Sequence, residues 1–168
     1  MDAIFAWIES TKLSLWLVET PSVWAFPFVL ILHTVGLAFA VGANVAWDVR
    51  LLGFGRGVSI RVLERYFLVM WIGFWVNAFS GVLLLIAYPT KALTNPLFYV
   101  KLTLIGFGIT TALRLRHAVA AFAVDDGREV PSSVRTLAAI SMACWVAAIF
   151  AGRFLAYTCS RLTVDTSC

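Results

Sequence analysis

Long apolar runs alternate with short polar connections along this chain. Four segments are almost continuously apolar, and they cover residues 22–47, 66–88, 97–117 and 136–157. A helix needs about 20 apolar residues to cross the hydrocarbon core of a membrane, whereas the strands of a membrane barrel alternate between apolar and polar positions. The pattern therefore predicts an all-α membrane protein, in which residues 1–168 form one domain with a bundle of four transmembrane helices.

The first 21 residues are apolar in two short clusters rather than in one run. The clusters are Ile4, Phe5, Trp7 and Ile8, followed by Leu13, Trp16 and Leu17. Ser10 or Thr11 can cap a helix, and Pro21 ends it. The start lacks the basic residues of a cleavable signal peptide. We therefore predict an N-terminal amphipathic helix on the membrane surface, with a partly ordered leader as the alternative.

The basic residues are concentrated in two connections. Eight of the 13 lie at the end of, or after, the first and third apolar segments: Arg50, Arg56, Arg61, Arg65, Arg114, Arg116, Arg128 and Arg135. Because cytoplasmic loops carry such an excess, we expect both termini to face the periplasm and the protein to lie in a bacterial inner membrane. This asymmetry accounts for most of the net charge of +4, so no nucleic-acid partner is expected.

Three ionisable residues lie within the predicted helices. A rise of about 1.5 Å per residue places His33 about 16 Å from the nearer membrane boundary, close to the midplane. The same count places Lys101 and Arg153 about 6 Å below the periplasmic boundary, roughly 10 Å above His33. Ionisable groups are costly at such depths and mark candidate functional sites.

One imidazole below two cations is a donor set that suits a haem. Histidine is a common axial ligand of haem iron, and the two propionates at one edge of the macrocycle bind cations. We therefore predict haem b as the cofactor, with His33 on the iron and Lys101 and Arg153 at the propionates.

Small residues follow His33 at helical spacing. Gly36 shares its face of the first helix, and Gly73, Asn77 and Gly81 repeat at four-residue spacing in the second. Such faces let a flat cofactor approach, so Gly36 and Asn77 are predicted to line the pocket. The same pattern is typical of ordinary helix packing in membranes.

The polar residues also have simpler interpretations. His33 can be a core histidine that hydrogen-bonds to Asn77 or Ser80. Lys101 and Arg153 can extend to the membrane surface without binding a ligand. Both alternatives remain open at the level of the sequence.

The remaining polar residues of the helices are interpreted as structural. His117 lies at the cytoplasmic edge, about 14 Å from the level of His33, so it is the less favoured iron ligand. Asp48 and Arg50 are expected to cap the end of the first helix and to pair locally, which leaves no acid inside a helix. Cys159 and Cys168 in the outward tail can form a disulfide, and this pairing is left open.

Three stretches of the chain resemble a known group of proteins. The segments "LHTVGLAFAVGANVAWDVRLLGFG", "NPLFYVKLTLIG" and "AGRFLAYT" are similar to a family of small bacterial four-helix membrane proteins of unassigned function. More distantly, the chain resembles the HemJ-type protoporphyrinogen oxidases and CopD-like membrane proteins. In the HemJ family a first-helix His and a later Lys are functional and haem b is bound; His33 and Lys101 match those positions. The long N-terminus and Arg153 are departures from that pattern.

These observations lead to three hypotheses. The first is a b-type haem protein of the membrane that transfers electrons or serves as a small redox subunit. The second, implied by the resemblance, is a HemJ-like enzyme that oxidises a porphyrinogen and passes electrons to quinone. The third is a cofactor-free accessory subunit of a larger membrane complex. The lipid bilayer is an expected partner in each case, and a homo-oligomer is compatible with all three.

Overall fold

Helices make up nearly all of the described chain. The computed structural model describes residues 2–54, 57–121 and 129–162. Within these ranges the chain forms seven helices and no strand: α1 (Asp2–Glu9), α2 (Lys12–Glu19), α3 (Phe26–Leu51), α4 (Ile60–Ala87), α5 (Pro89–Leu93), α6 (Pro96–Ala121) and α7 (Ser132–Leu162). The predicted all-α class is confirmed.

Four helices, α3, α4, α6 and α7, are long and apolar enough to cross a membrane. Their candidate spans are Phe26–Leu51, Arg65–Ala87, Pro96–Ala121 and Ser132–Thr158. A proline lies in the first turn of α3 and begins α6, where the missing N–H costs no helical hydrogen bond. Both helices continue four residues beyond the apolar segments predicted for them, because backbone hydrogen bonding does not stop where the side chains become polar. The length and composition of the four helices indicate a multi-pass membrane protein.

The N-terminal region forms two short helices that precede the first long one. Thr11 caps α2, and its hydroxyl accepts a hydrogen bond from the backbone N–H of Ser14 at 3.3 Å. Leu17 of α2 is buried with Val29 of α3 and Ala87 of α4. This apolar contact holds α2 against the start of the first long helix and the end of the second.

The four long helices associate as two antiparallel hairpins. α3 packs along α4, α6 packs along α7, and α3 with α7 is the most extensive contact between the two hairpins. At one end of the bundle, the side-chain amide of Asn95, just before α6, donates to the hydroxyl of Thr158, near the end of α7, at 2.8 Å. We call this end, with α1, α2 and α5, the terminal end. The opposite end carries the α3–α4 and α6–α7 connections, and we call it the Arg-rich end.

The hairpins pack most closely at the Arg-rich end. A buried apolar cluster there joins α3, α6, α7 and the segment before α7; its members are Trp47, Leu51, Leu115, Val119, Val130, Val134 and Ala138. In α6, the buried residues begin at Gly108, and no residue between Pro96 and Phe107 is buried. The terminal half of α6 is therefore less enclosed than its other half.

Two glycines bring α3 and α4 into backbone contact. A Cβ at Gly36 would lie 2.6 Å from the backbone nitrogen of Asn77, and a Cβ at Gly73 would lie 2.6 Å from that of Ala40. Side chains do not approach backbone atoms so closely, so both positions depend on glycine. The face of α3 that was predicted to admit a cofactor is, at Gly36, filled by the neighbouring helix.

The outward surfaces of the long helices are strongly apolar. Phe79 on α4 is 66% exposed and Phe150 on α7 is 59% exposed, and they belong to a much larger set of exposed apolar side chains. Extended exposed apolar surface is unusual for a water-soluble monomer. It suits helices that are surrounded by lipid.

Candidate functional site

His33 lies near the start of α3 and is hydrogen-bonded to α4. Its Nδ1 is 3.0 Å from the backbone oxygen of Asn77 and 3.2 Å from the hydroxyl oxygen of Ser80. In return, the side-chain amide of Asn77 donates to the backbone oxygen of His33 at 2.7 Å. These reciprocal hydrogen bonds join α3 to α4 at this position, and they show that Asn77 contacts His33 directly.

The partners of Nδ1 determine which ring nitrogen carries the proton. The carbonyl of Asn77 can only accept. The Ser80 hydroxyl donates its own proton to the backbone oxygen of Val76 at 2.7 Å, so its lone pair is free to accept from His33. The amide nitrogen of Asn77 is 3.3 Å from Nδ1, but its hydrogen bond to the backbone oxygen of His33 is shorter. We therefore assign the proton to Nδ1, which leaves the lone pair on Nε2.

Nε2 of His33 makes no hydrogen bond within the described ranges of the chain. The side chain is partly buried. A neutral imidazole with a free Nε2 lone pair can bind a metal ion or accept a proton. This nitrogen is the reactive atom of the candidate site.

Gly81 provides the space for the imidazole. A Cβ at position 81 would lie 3.2 Å from Cε1 and 3.6 Å from Nδ1 of His33. The first distance is tight, so a side chain here would press on the ring. Of the small residues singled out in the sequence, Gly81 therefore borders the histidine, whereas Gly36 forms a helix contact.

Lys101 lies near the start of α6 and its stem packs on α7. A Cβ at Gly152 would lie 3.5 Å from Cε and 3.6 Å from Nζ of Lys101, so the absence of a side chain at Gly152 makes room for the lysine. Lys101 is close enough to His33 for its charge to act on the imidazole. Its ammonium group forms no hydrogen bond or ion pair with the part of the chain that the structure describes. The lysine is thus a half-buried cation within electrostatic range of the histidine.

Arg153 follows Gly152 and is exposed on α7. Like Lys101, it forms no hydrogen bond or ion pair among residues 2–54, 57–121 and 129–162. The contact between Lys101 and Gly152 brings the two cations to neighbouring positions on α6 and α7. Both cations are available to an anionic ligand.

His117 is exposed near the end of α6, in the Arg-rich half of the bundle. His33 and His117 lie near opposite ends of two helices that run in the same direction, which separates them by about 20 Å along the bundle. The preceding residue, Arg116, lies over the ring of Phe67 at 4.9 Å. The structure therefore does not bring the two histidines together.

The described residues contain no group of three or more His, Cys, Asp or Glu side chains that could hold a metal ion. A haem does not require such a group, since its four equatorial ligands belong to the macrocycle. The pairing of Cys159 with Cys168, which the sequence leaves open, is not tested, because Cys168 lies outside the described residues.

The structure corrects the interpretation of Asp48 as a helix cap that pairs with Arg50. α3 continues to Leu51, Asp48 is only 1% exposed, and neither of its carboxylate oxygens has a hydrogen-bond partner in the described chain. Arg50 instead donates from Nε to the backbone oxygen of Val58 at 2.7 Å. The sequence did contain a signal for the burial of Asp48. It continues the four-residue spacing of Gly36, Ala40 and Asn44 along one face of α3.

No protein-family model, curated protein or solved structure matches this chain.

Proposed function

We propose that this protein is a b-type haem protein of the membrane, which transfers electrons or serves as a small redox subunit. The observation that carries the proposal is the free Nε2 of His33, held in one tautomer within electrostatic range of Lys101, a cation without a partner in the described chain. The other roles follow from the neighbours of these two residues.

His33 would bind the iron through Nε2. Histidine ligands in proteins almost always donate their other ring N–H to a carbonyl, carboxylate or water, which fixes the ring and raises its basicity. The Nδ1–H of His33 meets that requirement through Asn77 and Ser80. Asn77 and Ser80 are then positioning residues for the ligand.

Lys101 and Arg153 would hold the propionates. Charge-assisted hydrogen bonds between ammonium or guanidinium groups and carboxylates are about twice as strong as neutral ones. Lys101 is partly buried and has no anion to pair with in the described chain, so a carboxylate ligand would offset the cost of its burial. Arg153 is exposed and can reach the same ligand from α7.

The helix contacts limit where a haem would fit. Gly36 on α3 packs against the backbone of α4, and Gly73 on α4 packs against the backbone of α3. Because no room is left between these two helices there, the contacts support a cofactor at the less enclosed terminal half of α6. A haem held there would supply one-electron transfer, and His33 would hold it through Nε2. Quinone or a larger membrane redox complex is the proposed electron partner.

A second candidate function has one specific observation in its favour. The two positions that carry the resemblance to the HemJ-type oxidases, His33 and Lys101, lie close enough to interact. This neighbourhood supports a porphyrinogen oxidase that passes electrons to quinone, because such a substrate also carries propionates. The two candidates share the haem and differ in the reaction.

The deciding experiment is a visible spectrum of the purified protein from haem-replete cells, oxidised and then reduced with dithionite. We expect a reduced Soret band with α and β bands, lost in His33→Ala and retained in His117→Ala. A colourless, folded wild-type protein would overturn both haem proposals and favour the cofactor-free accessory subunit. Oxidation of protoporphyrinogen by the coloured protein, with quinone as acceptor, separates the enzyme from the electron carrier.

We further propose the inner membrane of a bacterium as the location, with both termini in the periplasm. The Arg-rich end would then be cytoplasmic, as the distribution of basic residues favours. Trp7, Trp16 and Trp24 are exposed at the terminal end, where indole rings suit the interface between lipid and water. α1 and α2 would lie along that surface as the predicted amphipathic segment.

A further inference from the structure

A buried acid lies in the contact between the two hairpins. Asp48 on α3 is 1% exposed and Ser141 on α7 is completely buried. The Ser141 hydroxyl is close enough to influence the carboxyl group, yet neither group has a partner with full hydrogen-bond geometry within the described chain. Trp47 and Leu51 on α3 and Ala138 on α7 belong to the buried apolar cluster at this end, and the indole N–H of Trp47 also has no hydrogen-bond partner within the described chain.

No cation in the described chain neutralises Asp48. On its own helix, Arg50 donates to the backbone oxygen of Val58. The other described titratable residues near this end are exposed or only partly buried, and none forms an ion pair with Asp48: Arg65 and Tyr66 on α4, Arg114, Arg116 and His117 on α6, Glu129 before α7, and Arg135 on α7. Among the described side chains, an ionised Asp48 carboxylate would therefore have no compensating cation.

The charge state of Asp48 follows from this environment. A buried carboxylate without a cation or strong donors is far more costly than the neutral acid, so such groups take up a proton. The neutral acid has an O–H that can donate to the Ser141 oxygen. We propose that Asp48 is a proton-binding site, which holds a proton while α3 and α7 are in contact and releases it to water when they separate.

This site lies in the contact that joins the two halves of the bundle. α3 with α7 is the most extensive contact between the hairpins, and the closed contact binds one more proton than the separated state. By linkage, raising the pH favours separation and lowering it favours closure. The inference does not depend on a bound haem.

Infrared spectroscopy of the full-length protein in nanodiscs tests the proton directly. We expect the C=O band of a protonated carboxylic acid at neutral pH, displaced when aspartate is labelled with ¹³C. The other aspartates, Asp2, Asp125, Asp126 and Asp165, belong to the terminal and connecting segments of the sequence. The absence of a label-sensitive band at neutral pH would overturn the proposal. This measurement uses the wild-type chain, so it does not depend on the folding of a variant.

A distance measurement tests the coupling to the helix contact. Spin labels at Phe54→Cys and Ser133→Cys report on the Arg-rich end, in a background where Cys144, Cys159 and Cys168 are serine. We expect the label distance to lengthen from acidic to alkaline buffer, and to stay constant in Asp48→Asn, which also lacks the infrared band. An unchanged distance in the Asp48 chain, or the same lengthening in Asp48→Asn, would refute a proton-operated contact.

Discussion

The backbone oxygen of Asn77 lies 3.0 Å from Nδ1 of His33 and thereby selects the tautomer of the ring. The same asparagine donates its side-chain amide to the backbone oxygen of His33. One residue of α4 therefore orients the imidazole of α3 and also joins the two helices. This double role distinguishes the positioning of His33 from a chance hydrogen bond.

Asn77→Ala should destabilise the α3–α4 hairpin. The substitution removes the amide that donates to His33 but keeps the backbone oxygen that accepts from Nδ1. A lost hydrogen bond of this kind typically costs about 1 kcal/mol, which thermal unfolding in detergent would detect. Thr103→Ala is the matched control, because its hydroxyl bonds only to Tyr99 within α6. Equal unfolding temperatures for the Asn77 variant and the control would contradict this role.

Gly36→Ala should be far more damaging than its size suggests. The added Cβ would lie 2.6 Å from the backbone nitrogen of Asn77, so α3 and α4 must move apart; forced overpacking typically costs about 1–3 kcal/mol. Gly42→Ala on the same helix meets nothing within 4 Å and should be neutral or slightly stabilising. Comparison of the two unfolding temperatures isolates the helix contact. A mild effect at Gly36 would mean that the helices are not so closely packed.

Lys101→Met should weaken retention of haem without removing the axial ligand. The methionine preserves the apolar stem over Gly152 but removes the cation that we assign to a propionate. We expect faster transfer of haem to an apo-globin acceptor, with the His33-dependent spectrum still present in the bound fraction. Lys91→Met on α5 serves as the control for a lost positive charge. Identical transfer rates for the two variants would remove Lys101 from the proposed site.

The proposed orientation predicts a labelling pattern. Val23 at the terminal end and Phe54 at the Arg-rich end are each about 70% exposed. In a background without native cysteines, a membrane-impermeant maleimide should label Val23→Cys in intact spheroplasts and should label Phe54→Cys only after lysis. The reverse pattern would place the termini in the cytoplasm.

The sequence was a reliable guide to the large elements because the bilayer imposes a simple rule on them. Helices that cross a membrane must be apolar over about 20 residues, so α3, α4, α6 and α7 were visible as apolar runs. Helical rise also separated His33 from His117 without knowledge of packing, since depth along a straight helix depends only on residue count.

The sequence was less informative at small residues, which can face either a cofactor or a neighbouring helix. Gly36 and Gly73 suit a flat cofactor and a close helix equally well, and only the approach of α4 to α3 decided between them. Likewise, the sequence offered Asn77 or Ser80 as partners of His33. The structure places the Asn77 backbone oxygen and the Ser80 hydroxyl both within hydrogen-bond distance of Nδ1, and the proton that we assign to Nδ1 on this basis leaves Nε2 free.

The sequence by itself thus determined the helical class, the four apolar spans and the position of each ionisable residue along its helix, because these depend on local composition and helix geometry. Only the tertiary structure decided what each residue faces. It packed Lys101 on Gly152 within electrostatic range of His33, closed Gly36 against α4, and buried Asp48 in the α3–α7 contact. Those outcomes depend on the rotation and separation of whole helices, which many distant contacts set together.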